Sequence, residues 1–237
     1  MKKVYAIAAI GCLVGALTTF PAHSGISSVC GNFYQVDPAP EPTPITPRCQ
    51  VRDNVMYIDG AVDEFLQFEL EYFWPEVTHI ELNSHGGEVN SMFAIAELIR
   101  ERNITTNVRE GAVCGSACTL LYQAGVYRTA HHSSWFLYHG TRIGSIGMRS
   151  WRRICSSEGL DECTKWIIDR VNYNKDLTNN LFQAYVDFGA SPQLYEDFRS
   201  AGEDENWFLN GNFTRTRDFV ITAEQALQYN IVQEIVN

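Results

Sequence analysis

The feature that most constrains the fold is a regular alternation of extended and helical segments over residues 54–140. Runs of β-branched and apolar residues predict strands at residues 54–58, 77–82, 104–108, 126–130 and 135–138. Apolar residues at helical spacing predict helices at residues 62–73, 89–100 and 117–124. Strands that alternate with helices in this way predict an α/β fold, a parallel sheet with helices on its faces and right-handed crossovers.

Helices dominate the C-terminal part of the chain. A long helix is predicted over residues 160–187, and a short one begins at Ser191-Pro192, because proline is preorganised for the first helical position. Residues 222–227 have a helix-capping pattern, and residues 231–236 are predicted as a strand. Residues 142–159 are rich in Gly, Ser and Arg, and we expect a surface loop there, between His139 and the long helix.

The N-terminal residues 1–24 have the pattern of a secretory signal peptide. Lys2 and Lys3 precede a mostly apolar run, and Ala22-His23-Ser24 is an acceptable cleavage site. A lipoprotein signal with Cys12 as the acylated residue is the alternative. Residues 25–48 are predicted as an N-terminal arm with a Pro-rich linker, and residues 49–237 as one α/β domain. This organisation predicts a periplasmic or secreted protein.

The negative charge of the mature chain argues against two classes of partner. Loss of the signal reduces the 18 Lys and Arg to 16 against 28 Asp and Glu, a formal net charge of −12. Such a charge argues against a nucleic-acid partner and against binding to anionic lipid by charge alone. No other apolar stretch is long enough to cross a membrane, so we expect no membrane span after signal removal.

The cysteines outside the signal fall into three pairs that are close in sequence. We predict disulfides Cys30–Cys49, Cys114–Cys118 and Cys155–Cys163, in keeping with an oxidising compartment. For Cys114 and Cys118, a separation of four residues at a helix start brings the Cα atoms within bridging range. The alternative for that pair is two small buried thiols.

Three predicted strand ends carry residue types suited to acyl transfer. The strand predicted at residues 104–108 leads into Ser116, at a strand-to-helix turn where the serine hydroxyl is exposed and the first N–H groups of the helix are near. The glycine pair Gly86-Gly87 follows the strand at residues 77–82, and His139 follows the strand at residues 135–138. Because Ser is also a favoured helix cap, a purely structural role is the alternative for Ser116.

Four segments together resemble the proteolytic subunit of the Clp protease, within the wider ClpP/crotonase-like fold. Residues 81–89 resemble the family's I-x-S-P-G-G-x-V turn, and Ser116 with Gly125 resembles its nucleophile helix. His139-Gly140 resembles its histidine strand, and residues 216–226 resemble its R-D-x-F-x-S-A-x-E-A segment. His85 and Asn230 depart from the family pattern. The export signal and the cysteines beside the serine resemble an exported, periplasmic branch, and the implied fold has ββα-type superhelical units.

The resemblance assigns a role to each site residue. It implies Ser116 as nucleophile, His139 as general base and acid, and Asp218 as the carboxylate that orients His139. The backbone N–H groups of Gly87 and Ala117 are the predicted oxyanion donors. The rivals are His131, His132, Asp187, Asp197 and Asp204, with His85 as a possible substrate contact and His79 expected in the core.

The sequence therefore predicts an exported serine endopeptidase that hydrolyses peptide or protein substrates. Neither a cofactor nor a metal is expected, because the histidines lack metal-binding spacing. A homo-oligomer is compatible with the resemblance, and no ATP-driven unfoldase is expected outside the cytoplasm. The alternatives are a catalytically silent binding or assembly module of the same fold, a crotonase-type coenzyme A enzyme, and a redox role for Cys118.

Overall fold

The computed structural model describes residues 28–29, 49–73, 75–140, 153–157, 159–201 and 219–237. Its strands are β1 (Ser28–Val29), β2 (Cys49–Arg52), β3 (Val55–Asp59), β4 (His79–Asn83), β5 (Thr105–Val108), β6 (Val113–Gly115), β7 (Arg128–His131), β8 (Trp135–Tyr138), β9 (Phe219–Thr222) and β10 (Glu234–Val236). Its helices are α1 (Glu64–Phe68), α2 (Val89–Glu101), α3 (Ala117–Ala124), α4 (Leu160–Asp187), α5 (Gln193–Ser200) and α6 (Ala223–Gln228). The predicted signal peptide and nearly all of the N-terminal arm lie outside these residues.

Within the described residues, seven strands form the main sheet in the order β1-β2-β3-β4-β5-β7-β10. Strands β3, β4, β5, β7 and β10 are parallel, whereas β1, β2 and β3 pair antiparallel. The register places Ile58 opposite Leu82 and Leu82 opposite Val108, so these three side chains form one buried row. The mostly parallel sheet confirms the α/β class predicted from the alternation. The arrangement of ββα units in a superhelix stays a prediction.

The two faces of the main sheet differ in polarity. Side chains such as Ile58 and Leu82 point to a buried face, where α3 packs against β5 and α2 packs against α3. On the other face, Asn107 donates to Glu81 at 2.7 Å and accepts from Thr129 at 2.8 Å. These polar side chains are half-buried. Since strand residues alternate between faces, His79 lies on the polar face and is exposed, so its predicted place in the core is wrong.

A second, three-stranded sheet carries the segment that leads into the serine turn. Its order is β6-β8-β9, with β6 parallel to β8 and β8 antiparallel to β9. The sequence prediction that the strand at residues 104–108 leads into Ser116 is therefore wrong. That strand is β5 of the main sheet, and the chain turns at residues 109–112 before it forms β6. A parallel bridge between Ser84 and Cys114 joins the two sheets.

Local chemistry explains where several helices begin and end. The Asp63 side chain accepts from the Leu66 amide and begins α1, which continues as a π-helical turn over Glu69–Phe73. Thr222 and Gln225 form a capping box that begins α6. The helix α3 ends at Gly125, where a Cβ atom would lie 2.2 Å from Thr106 Oγ1. Glycine is therefore required for this helix end to pack against β5.

The predicted surface loop before α4 is partly helical. Residues 153–157 form a helical segment, and Cys155 in that segment is bonded to Cys163 in the second turn of α4. Residues 141–152 and 158 lie outside the described part of the chain. The predicted C-terminal strand is also shorter than expected and covers Glu234–Val236.

Candidate active site

Ser116 has a backbone conformation that is unusual for a residue other than glycine. Its φ is 54° and its ψ is −124°, between the end of β6 and the start of α3. The Ser116 amide donates to Leu137 O at 2.8 Å, and the Ser116 carbonyl accepts from the Thr119 amide at 2.9 Å. Such a conformation costs about 1–3 kcal/mol and persists only where surrounding contacts fix it. The Ser116 side chain makes no capping hydrogen bond to α3, which is the contact that a purely structural role requires.

The Cys114–Cys118 disulfide brackets this turn. It joins the middle of β6 to the second residue of α3, with the two Cα atoms 5.2 Å apart, and both cysteines are fully buried. It therefore ties together the two elements that flank Ser116. The pairings Cys114–Cys118 and Cys155–Cys163 agree with the prediction. Cys49 is also disulfide-bonded, and its predicted partner, Cys30, lies outside the described residues.

The glycine pair approaches its neighbours too closely for any side chain. A Cβ atom at Gly86, whose φ is +99°, would lie 2.5 Å from Ser116 Cβ. At Gly87 it would lie 1.9 Å from the carbonyl oxygen of Val62. Val62 holds this segment because its amide donates to Gly86 O at 3.0 Å and its carbonyl accepts from the Glu88 amide at 2.7 Å. The turn is thus fixed directly against the serine turn.

Ser84 connects the glycine turn to the serine turn, a role that the sequence analysis missed. Its amide donates to Val113 O at 2.8 Å, and its carbonyl accepts from the Gly115 amide at 2.8 Å. Its hydroxyl donates to Gly60 O and accepts from the Gly86 amide at 3.0 Å. A small polar residue between a strand end and a glycine pair was the available signal. Because Ser84 is only 2% exposed, it acts through these hydrogen bonds and not through contact with solvent.

His139 follows β8, and its ring contacts the neighbouring peptide. Its Nδ1 lies 2.6 Å from the carbonyl oxygen of Gly140. A carbonyl oxygen only accepts hydrogen bonds, so Nδ1 is the donor in this contact, and in a neutral ring a proton on Nδ1 places the lone pair on Nε2. That tautomer is the one a general base needs.

One cavity of about 140 Å³ brings most of the predicted site residues together. It is lined by Gly87, Val89, Met92, Ser116, Ala117, His139, Gly140 and Leu181. Ser116 and His139 thus face a common space, although no hydrogen bond joins these two described residues. The amides of Gly87 and Ala117 have no acceptor among the described residues, whereas the Gly86 amide is already bonded to Ser84.

Buried tyrosines lie behind the cavity. The Tyr185 hydroxyl is 2.6 Å from Thr119 Oγ1, and the Tyr185 ring meets the Tyr138 ring edge to face at 5.5 Å. Burial raises the pKa of both tyrosine hydroxyls, so both stay neutral at physiological pH. These groups can donate or accept hydrogen bonds but supply no charge.

The other predicted residues either lie outside the described part of the chain or do not line the cavity. Asp218 and the rival Asp204 lie outside the described residues. His85 and His132 are exposed, and His131 is bonded to Ser133 Oγ at 2.7 Å. The Asp187 and Asp197 carboxylates accept from glutamine side chains of their own helices. Within the described ranges, no three His, Cys, Asp or Glu side chains are grouped to hold a metal, and no helix there is long and apolar enough to cross a membrane.

Comparison with known proteins finds similarity among solved structures. No protein-family model matches the sequence, and no curated protein matches it. Among solved structures, a mutant form of ClpP1 from Listeria monocytogenes is similar, with a TM-score of 0.49 and 16% sequence identity. The similarity covers 78% of this chain and 91% of that chain. A likeness of this degree carries no inference about chemistry, which rests on the site geometry.

Proposed function

We propose that this protein is a serine peptidase with Ser116 as its nucleophile. The observation that carries the proposal is that Ser116, His139, Gly87 and Ala117 line one cavity, and that the amides of Gly87 and Ala117 have no acceptor among the described residues. In the proposed reaction, Ser116 Oγ attacks the peptide carbonyl carbon while His139 Nε2 takes the hydroxyl proton. The proton passes to the leaving amine as the C–N bond breaks. Water, deprotonated by His139, then attacks the acyl-enzyme carbonyl carbon, the C–Oγ bond breaks, and His139 returns the proton to Ser116 Oγ as the acid is released.

The amides of Gly87 and Ala117 are proposed to stabilise the tetrahedral oxyanion. Both line the cavity with Ser116, and Ala117 is the first residue of α3, where helix N–H groups have no partner within the helix. Loss of one oxyanion donor typically costs about 3 kcal/mol of transition-state stabilisation. Because these donors are fixed by the glycine turn and the serine turn, they need no reorganisation during the reaction.

Asp218 is the proposed third member of the triad. Phe219, the residue after Asp218, pairs with Tyr138, the residue before His139. His139 and Asp218 are therefore each bonded in the chain to a residue of this Tyr138–Phe219 pair. Consecutive Cα atoms in a chain are about 3.8 Å apart. The carboxylate would stabilise the protonated His139 ring that forms during attack.

The cavity walls favour an apolar substrate side chain. Val89 and Met92 of α2 and Leu181 of α4 supply the apolar part of the lining. We propose that a peptide places an aliphatic side chain against these residues, next to the bond that is cleaved. We also propose export to the periplasm or the medium, which the disulfides support because such bonds persist in oxidising compartments.

Covalent labelling tests the hydrolase proposal. A fluorescent fluorophosphonate should label the wild-type protein, and Ser116→Ala should abolish the label. Ser200→Ala removes an exposed hydroxyl on α5 and is the control that should keep full labelling. His139→Ala should slow labelling at least ~100-fold. Asp218→Asn should cost less than the ~10⁴-fold loss seen where the carboxylate alone holds the tautomer, because Gly140 O still accepts from Nδ1.

The second candidate is a binding module that keeps the fold without catalysis. It is favoured by the missing hydrogen bond between Ser116 and His139. A folded wild-type protein that no fluorophosphonate labels, in any oligomeric form, supports this candidate and excludes the peptidase. Labelling that depends on Ser116, together with hydrolysis of peptides, excludes the binding module.

A further inference from the structure

A chain of three hydrogen-bonding groups links α4 to the backbone of the serine turn. Thr119 Oγ1 donates to the Ser116 carbonyl oxygen at 2.5 Å and lies 2.6 Å from the Tyr185 hydroxyl. Because the Thr119 proton is used on the carbonyl, the Tyr185 O–H must be the donor to Thr119 Oγ1. Thr119 and Tyr185 are both 2% exposed or less, so water does not compete for these bonds.

The carbonyl that this chain holds belongs to the same peptide unit as a proposed oxyanion donor. The Ser116 C=O and the Ala117 N–H lie in one plane, and in a trans peptide they point in opposite directions. No cis peptide bond occurs among the described residues. Fixing the Ser116 oxygen on one side therefore fixes the direction of the Ala117 N–H on the other. Hydrogen bonds to the carbonyl also polarise the peptide and strengthen its N–H as a donor.

Tyr185 also contacts the segment that carries His139. Its ring meets the ring of Tyr138 at 83° with centroids 5.5 Å apart, and Tyr138 is the last residue of β8, directly before His139. Leu181, one turn earlier on α4, lines the cavity itself. One face of α4 thus reaches the serine turn, the histidine strand and the cavity wall.

We propose that Tyr185 and Thr119 are positioning residues that aim the Ala117 amide at the oxyanion. This inference rests on the proposed function, since it assigns a role within the same acyl-transfer reaction. Neither side chain lines the cavity, so both act through the Ser116–Ala117 peptide. Their loss should slow the chemical step and leave the binding of a substrate or inhibitor nearly unchanged.

A matched tyrosine separates positioning from ordinary packing. Tyr122 lies on α3 with Thr119, is fully buried, and donates its hydroxyl to Thr129 O at 3.1 Å. Its hydrogen bond leads to β7 of the main sheet and not to the serine turn. Tyr122→Phe therefore removes one buried hydroxyl of the same type without disturbing the Ser116–Ala117 peptide.

The experiment measures fluorophosphonate labelling of the full chain at several probe concentrations, to separate the maximal rate constant from the half-saturating concentration. Tyr185→Phe and Thr119→Val should each lower the maximal rate constant about tenfold, which corresponds to about 1.4 kcal/mol. The double variant should be no slower than either single one, because the groups act as one chain. Thr119→Ser should restore the rate, and Tyr122→Phe should leave it at the wild-type value. Melting temperatures are measured on the same samples.

The outcomes distinguish this inference from the proposed function. Slow labelling by Tyr185→Phe with an unchanged half-saturating concentration supports the positioning role. Equal rates for Tyr185→Phe, Tyr122→Phe and wild type overturn it, while Ser116 remains the nucleophile. If Tyr185→Phe does not fold, Thr119→Val and Thr119→Ser decide by the same criterion. A folded wild type that is not labelled overturns both proposals, because the positioning role requires a reactive Ser116.

Discussion

Removal of the Cys114–Cys118 disulfide should destabilise the protein and slow labelling of Ser116 together. The bond closes a loop with a sequence separation of 4. In the chain-entropy relation, so short a loop contributes about 2 kcal/mol at 25 °C. This is similar to the ~1–3 kcal/mol that the positive φ of Ser116 costs. Without the bond, the turn should therefore relax in a substantial fraction of molecules.

The assay compares the Cys114→Ala/Cys118→Ala variant with wild type by urea unfolding and by fluorophosphonate labelling. We expect a loss of about 2 kcal/mol from the disulfide, with a further contribution from the two buried sulfur atoms that are removed. Cys155→Ala/Cys163→Ala is the matched control. Its loop has a separation of 8, so the relation gives a similar loss of about 2.5 kcal/mol, but it lies outside the serine turn.

The reasoning fails if the two variants label Ser116 at equal rates. That result would mean that the local elements hold the Ser116 turn without help from the disulfide. A third variant sharpens the comparison. Ser116→Gly relieves the cost of positive φ, so in the Cys114→Ala/Cys118→Ala background it should raise the free energy of unfolding. Unfolding in urea measures this difference directly.

Three further predictions follow from individual side chains. Ser84→Ala leaves the buried Gly86 amide without its acceptor and should cost about 1–3 kcal/mol in urea unfolding, with slower labelling of Ser116. Arg128→Met removes hydrogen bonds to the carbonyls of Gly125, Asn230 and Ile231 and should cost about 3 kcal/mol, with labelling unchanged in the folded fraction. Asp59→Asn should flatten the dependence of stability on pH in acid. Burial opposes ionisation of Asp59, but hydrogen bonds from Arg109 and Asn83 outweigh it and lower the carboxyl pKa below 3.8.

Each of these predictions has a result that contradicts it. The Ser84 prediction is contradicted if Ser84→Ala is as stable as the wild type, which would show that the Gly86 amide finds another acceptor. For Arg128, it is a labelling loss larger than the unfolded fraction explains. For Asp59, the lowered pKa means that its contribution is present above the unfolded pKa and is lost as the pH falls through the folded one. The prediction is refuted if the wild-type protein and the Asp59→Asn variant lose the same amount of stability between about pH 5 and pH 2.

The comparison of sequence and structure shows which part of the fold is local. The alternation of apolar runs predicted the parallel strands of the main sheet and the helices between them, because periodicity depends on neighbours along the chain. The same is true of the Cys114–Cys118 and Cys155–Cys163 pairs, whose members are close in sequence. The separate strand β6 was missed, because a three-residue strand has too few positions for a detectable pattern.

What the sequence determined by itself was therefore the α/β class, the serine turn with its cysteine pair, and the glycine and histidine segments that share its cavity. Tertiary structure alone decided that a second sheet carries Ser116, that one face of the main sheet is polar, and that Ser84 and Tyr185 hold the serine turn. Tyr185 is 66 residues from Thr119, and Ser84 is 24 residues from Gly60. Such contacts depend on how packed elements meet in space. The local spacing of residues along the chain therefore does not predict which distant polar groups form hydrogen bonds.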